Sequence, residues 1–126
     1  MHSSTEHQLW VQETNNSLQN EWNNVEFIQK TIAQVDKDFG SFITSHIGEN
    51  IDFSGNIKAE IIQHIKNNLD IMERENASFI PQLIYLIDLP EVIFHSITEH
   101  SSSINQELAQ CILVREAYKV WMRTQY

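Results

Sequence analysis

Leu18, Trp22, Val25, Ile28, Ile32, Val35, Phe39 and Phe42 recur at intervals of three and four residues. That spacing puts all eight on one face of a helix. A strand would scatter them over both faces, because its side chains alternate. Asn20, Glu21, Asn24, Lys30 and Asp38 fall on the opposite face. The pattern predicts one long amphipathic helix running from Leu18 to a stop at Gly40.

The rest of the chain offers helical partners. Ile57, Ile61, Ile62, Ile65, Leu69 and Met72 form a second stripe, capped by Ser54 or Asn56. Thr5 with Gln8 reads as a capping box for a first helix, which the polar patch Asn15, Asn16 and Ser17 weakens or breaks. Ser78 with Pro81 in the opening turn predicts a short helix. In Asp88-Leu89-Pro90-Glu91, Asp88 is expected to end that helix and to cap the next, making a corner. Ser103 and Gln106 open a last helix from Ile104, broadly apolar through Leu108, Cys111, Ile112, Tyr118, Trp121 and Met122. Arg115 sits inside that stripe, as an ion pair or with a snorkelling stem. Residues 41–56 mix turn formers with apolar residues and fit either a helical turn or a hairpin.

With only three Gly and two Pro, the chain lacks the turn residues of a sandwich or barrel. The expected fold is all-α: one domain over residues 1–126, a compact bundle of about five helices, two or three of them long. The alternative is α+β, with a small hairpin in 41–56 or a strand at 80–87.

The segment Gln82-Leu83-Ile84-Tyr85-Leu86-Ile87-Asp88-Leu89-Pro90-Glu91 is followed by Val114-Arg115-Glu116-Ala117-Tyr118-Lys119-Val120. Together they resemble a family of small uncharacterised bacterial helical proteins, in which a leucine–tyrosine–x–x–aspartate corner precedes a C-terminal helix bearing an Arg-Glu pair. The resemblance covers about the last third of the chain. It implies an all-helical fold and carries no activity with it.

Seventeen Asp and Glu against eight Lys and Arg give a formal net charge of −9. Phosphate backbones and anionic membranes both select for cations, so neither nucleic acid nor a membrane is an expected partner. The most apolar stretch, 79–94, is too short to span a bilayer and is interrupted by Pro81, Asp88, Pro90 and Glu91. Residues 1–10 hold no basic patch followed by an apolar run, so the expected location is the cytoplasm.

Few motifs carry chemistry. Glu91, His95 and Glu99 are spaced by four and share a helix face, with His100 adjacent; imidazole and carboxylate at that spacing can share a metal. Glu60 and His64 repeat the spacing. However, helical di-iron sites use a Glu-x-x-His pair on each of two helices, and the chain has none. A solvated helix end is the simpler account, and no cofactor is expected. Cys111 lies between apolar neighbours and reads as a small core residue rather than a thiolate nucleophile. Trp121, Tyr118, Met122 and Arg123, with Tyr126 beyond, could form an aromatic interface anchor. The competing account has the terminal helices burying Trp10 and Trp121 against each other.

These observations favour a non-catalytic interaction or regulatory module that binds another protein, or a second copy through the C-terminal helix. One alternative is an acidic inhibitor or immunity-type protein for a basic partner. Another is a metal-dependent or small-molecule-binding enzyme using His95 and Glu99.

Overall fold

The computed structural model describes residues 4–125. The chain is 78% helical, with six α-helices and no strand among the described residues. The helices are α1 (Glu6–Leu18), α2 (Val25–Phe39), α3 (Ile57–Asn76), α4 (Phe79–Ile87), α5 (Glu91–His100) and α6 (Ile104–Gln125). Neither the hairpin in 41–56 nor the strand at 80–87 forms.

Six helices stand where about five were expected, and the stripe from Leu18 is not one long helix. It is cut between Leu18, the last residue of α1, and Val25, the first of α2. The patch at Asn15–Ser17 does not break α1. The break falls at 19–24, where the Asn24 side chain accepts from Phe27 N–H at 3.3 Å and caps α2. An Asn competes with the helix for backbone donors, and here it wins. The apolar stripe is kept only in part across the cut: Val25 is exposed, and Phe27, outside the stripe, packs with Leu18, Ala117 and Val120, with Trp22 against them. Gly40 ends α2 as expected.

Other local signals are kept in part: Ser78 stands at the N-cap position of α4 without a side-chain cap bond. Thr5 and Gln8 close the capping box of α1, and Asn56 caps α3 through Ala59 N–H. The Asp88 corner differs in one respect. Asp88 does end α4, in the left-handed conformation at φ 60°, but the N-cap position of α5 is Pro90, with no side-chain cap. The Asp88 carboxylate is used elsewhere. Arg115 Nη2 reaches it at 3.2 Å, while Arg115 Nε donates to the Ile87 carbonyl at 3.2 Å. The cation within the α6 stripe thus caps the C-terminal end of α4, where the dipole favours positive charge.

The segment between α2 and α3 forms a short 3-10 turn at Ile47–Glu49, which buries Ile47. The Asp36 carboxylate pins it, accepting from Ile47 N–H at 2.6 Å and Gly48 N–H at 3.0 Å. A side chain at Gly48 would crowd that carboxylate: a Cβ there would lie 3.2 Å from Asp36 Oδ2.

Helix α6 is the axis of the bundle. Cys111, Ile112, Leu113 and Val114 are four consecutive buried residues, so the helix is apolar on all sides over that turn and must be surrounded. All five other helices pack on it. Its neighbours supply Ile32, Val35 and Phe39 from α2, Ile61, Ile65 and Leu69 from α3, and Leu83, Ile87, Ile93 and Ile97 from α4 and α5.

Candidate functional site

Two buried polar clusters, a set of exposed histidines and one apolar face are the places where this bundle departs from simple packing. The first cluster lies between α2 and α6. Asp38, read from the stripe as solvent-facing, is only 7% exposed. Its carboxylate accepts from Lys119 Nζ at 3.0 Å and from Gln34 Nε2 at 3.0 Å. Burial by itself would raise the Asp38 pKa, but the neighbouring Glu116, Gln34 and Lys119 outweigh it and hold the group below its ordinary value. Glu116 is fully buried beside it. Lys119 Nζ lies 2.6 Å from Glu116 Oε1, yet neither Glu116 oxygen has a well-aligned hydrogen-bond partner. Burial, reinforced by the neighbouring Asp38 carboxylate, pushes the Glu116 pKa up to about 9. Glu116 is therefore a neutral acid at physiological pH. Arg123 Nη1 extends the cluster, donating to Gln34 Oε1 at 2.7 Å.

The second cluster holds α1 to the bundle. His7 is 2% exposed. Its Nε2 lies 3.2 Å from Glu107 Oε1 and its Nδ1 lies 2.8 Å from Ser96 Oγ. A carboxylate only accepts, so Nε2 carries a ring proton, and Nδ1 pairs with the Ser96 hydroxyl. Ser96 Oγ in turn accepts from His7 N–H at 3.3 Å. Burial pushes the Glu107 carboxyl up, but hydrogen bonds from Ser101 and His7 bring it below the usual value. The order carboxylate–imidazole–hydroxyl is that of a nucleophile with its base. Ser96, however, sits inside α5, where the flanking amides are committed to the helix rather than to an oxyanion. The cluster acts as a clasp on α1, whose other buried residue is Leu18.

The metal candidates lie on the outer face of α5. His95 Nε2 is 2.9 Å from Glu99 Oε1, and His100 Nε2 is 3.6 Å from Glu99 Oε2, all largely exposed. With Thr5 and Ser96 these three line a hollow of about 400 Å³ that Glu91 does not reach. His64 pairs with Glu60 at 3.6 Å on α3, away from them. Among the described residues no three His, Cys, Asp or Glu side chains come together as an ion would need. Cys111 is buried, and that burial, with Glu107 nearby, pushes its thiol up to about 12. It is chemically inert there.

The aromatic candidates of α6 are half-buried. Tyr118 and Trp121 stack at 5.5 Å between ring centroids, against the Leu18–Phe27 cluster, and Met122 is half-buried beyond them. Arg123 is committed to Gln34, and Tyr126 lies outside the described residues. Trp10 is partly buried and packs against the main core.

Exposed large apolar side chains are spread over the bundle, at Leu9, Val25, Phe53, Val92 and Ile104, and two more, Tyr85 and Leu86, are neighbours on α4. Leu83, Ile84 and Ile87 face inward. Pro81, Gln82, Tyr85 and Leu86 face outward, with Tyr85 89% exposed and Leu86 46% exposed. No charged residue occurs between Ala77 and Ile87. The rings of Phe42 and Phe79 meet at 5.4 Å beside this ridge. Pro81 lines two hollows. One, of about 680 Å³, is walled by Ile80, Phe94, Ile104 and Leu108, with Lys66 and Glu73 also lining it. The other, of about 490 Å³, is walled by Phe42, Gln82, Tyr85 and Leu86. Among the described residues no helix is long and apolar enough to cross a membrane.

No family model, curated protein or solved structure matches this chain.

Proposed function

We propose that this chain is a non-catalytic protein-interaction module that docks another protein on the outward face of α4. The supporting observation is the uncharged ridge itself. A surface helix normally turns charged residues to water, yet α4 turns Pro81, Gln82, Tyr85 and Leu86 outward, and Pro81 lines two neighbouring hollows. Contiguous exposed apolar surface of this kind marks binding sites in soluble proteins, and Tyr is among the residues that anchor them. The polar clusters support the same reading. Both serve packing, and neither combines an accessible nucleophile with a donor set for a developing charge.

A photo-crosslinking residue at position 85, expressed in the cell of origin, tests this, with the same residue at Glu26 on the exposed side of α2 as control. The expected result is a discrete adduct from position 85 and none from position 26. Equal labelling from both positions, or none from 85, would overturn the proposal. Self-association through Tyr118, Trp121 and Met122 is the second reading, favoured by the half-exposed ring pair at the end of α6. Sedimentation equilibrium decides it: a mass that stays monomeric at high concentration removes it.

A further inference from the structure

We infer that α1 is an exchangeable arm: the chain straightens at Asn24 into one continuous helix and seats its α1 on α5 and α6 of a second copy. The backbone between α1 and α2 is already almost helical. Gln19 (φ −53°, ψ −45°) and Asn20 (φ −79°, ψ −21°) are right-handed, and Glu21–Asn23 is a 3-10 turn. Asn24, at φ −101° and ψ 111°, is the extended residue that makes the bend. Turning its ψ to about −42° and relaxing the 3-10 turn joins Glu6 to Phe39 in one helix. No Gly or Pro precedes Gly40 to oppose this. The side chains agree. Leu18, Trp22, Val25 and Ile28 keep the spacing of three and four across the bend, as one helix requires. Val25 is nonetheless 57% exposed in the bent chain. Straightening returns it to the face of Leu18, Trp22 and Ile28, at the middle of the joined helix, where the joined helix of a second copy passes in a two-fold exchange.

The arm is shallowly seated. Two of the thirteen residues of α1, His7 and Leu18, are buried, against eight of the fifteen in α2. It packs on α5 and α6, where His7 meets Ser96 and Glu107, and Leu18 meets Ala117 and Val120. A second copy presents the same residues, so exchange remakes each of these contacts between copies. The balance is then set at the hinge. The bend is held by the Asn24 side chain, which accepts from Phe27 N–H, and by Trp22, which lies 5.7 Å from the Phe27 ring and under Lys58 Nζ. Backbone hydrogen bonds through residues 19–28 and a covered Val25 favour the straight form. No residue of α4 takes part, so the exchange and the docking reading stand or fall separately.

Two hinge variants of the full chain test this in opposite directions. Asn24→Ala removes the cap that holds the bend and favours the helix. Val25→Pro holds the bend closed. Position 25 opens α2, where Pro is tolerated, and Pro keeps the preceding residue extended, as Asn24 already is; inside a continuous helix the same ring is a breaker. Sedimentation equilibrium over a concentration range of about a hundredfold reads the association. The expected result is a reversible dimer of the parent, about tenfold or more tighter in Asn24→Ala because each dimer gives up two caps, and absent in Val25→Pro, with a thermal melt to check folding. Spin labels at Gln12→Cys and Glu26→Cys, both exposed positions, read the hinge itself, and Cys111 is buried away from the label. With labelled chain diluted into unlabelled chain, the label separation in the dimer should differ from that in the monomer and fit roughly 21 Å of straight helix. A parent that stays monomeric throughout, an unchanged label separation, or an Asn24→Ala dimer no tighter than the parent's would each overturn the inference, even if Val25→Pro does not fold. A folded Val25→Pro that dimerises as the parent does would also overturn it and assign the dimer to the Tyr118–Trp121 face.

Discussion

Replacing Glu116 by Gln should make this protein more stable near neutral pH, by an amount that grows as pH rises. In the folded chain the Glu116 carboxyl keeps its proton up to about pH 9, against an ordinary value of 4.5. Between those values the native state holds one proton that the unfolded chain releases. Unfolding thus becomes easier as pH rises, by about 1.4 kcal/mol per pH unit for one proton. From pH 4.5 to 7 this amounts to roughly 3 kcal/mol, a substantial part of a typical stability of about 5–15 kcal/mol. The amide has no proton to release, and its N–H₂ can donate to the Asp38 carboxylate beside it. Asp38 does not interfere, because its pKa lies below the ordinary 3.8 and it stays ionised across the window. Urea unfolding of parent and variant at pH 5.5, 6.5 and 7.5, as roughly spaced points within that window, gives the test. The stability difference should widen by about 1.4 kcal/mol per unit. A constant offset would mean that Lys119, 2.6 Å away, already holds Glu116 ionised in the folded chain, and the account of the cluster would be wrong.

Ile32→Asp and Ile65→Asp should each prevent stable folding, since both side chains are buried in the main core and an unpaired carboxylate there costs several kcal/mol; a variant melting within a few degrees of the parent would remove its stripe from the core. His7→Ala should cost about 2 kcal/mol by leaving Ser96 and Glu107 without their buried partner, and hydrogen exchange should quicken in α1 before any other helix. Asp36→Ala should release the 3-10 turn at Ile47–Glu49 at a cost of about 1–3 kcal/mol, read as faster exchange of the Ile47 and Gly48 amides. Tyr85→Ser/Leu86→Ser should melt within a few degrees of the parent, because neither position is buried; a large drop would make the α4 ridge part of the core.

The all-helical fold was legible because its signals are local and agree with one another. The α3 stripe, the Thr5–Gln8 box, the Asn56 cap and the Gly40 stop each predict a boundary that the structure keeps. The break between α1 and α2 was hidden by its own apolar pattern. Leu18 and Trp22 continue the period of three and four, and they still pack with Phe27, so burial persists where backbone continuity does not. The deciding signal was Asn24, which looks like any polar residue on an outer face until its side chain is seen to take Phe27 N–H. The buried clusters were harder to read. His7 and Glu107 are a hundred residues apart, and no periodicity joins them. Glu116 could have been noticed, since it stands four residues from Ile112 and from Val120, both buried. An acid in line with two core residues on one helix face is an acid in the core.

That placement bears on how the molecule divides its surface between folding and binding. Helix α6 spends nearly its whole circumference on the fold, so even an acid, Glu116, is buried, and holding its proton near pH 7 costs about 3 kcal/mol. The Lys119–Asp38 pair beside it ties α2 to α6. Helix α4 shows the reverse. Leu83, Ile84 and Ile87 suffice to seat it, and charged residues at 85 and 86 would seat it equally well while favouring solubility. Packing therefore explains the three inward residues and leaves the outward Tyr85 and Leu86 without a role in the monomer. An acid in the middle of α6 is accounted for by the pair it joins. On the proposed docking reading, the exposed Tyr and Leu of this otherwise uncharged helix are the residues a second molecule would cover.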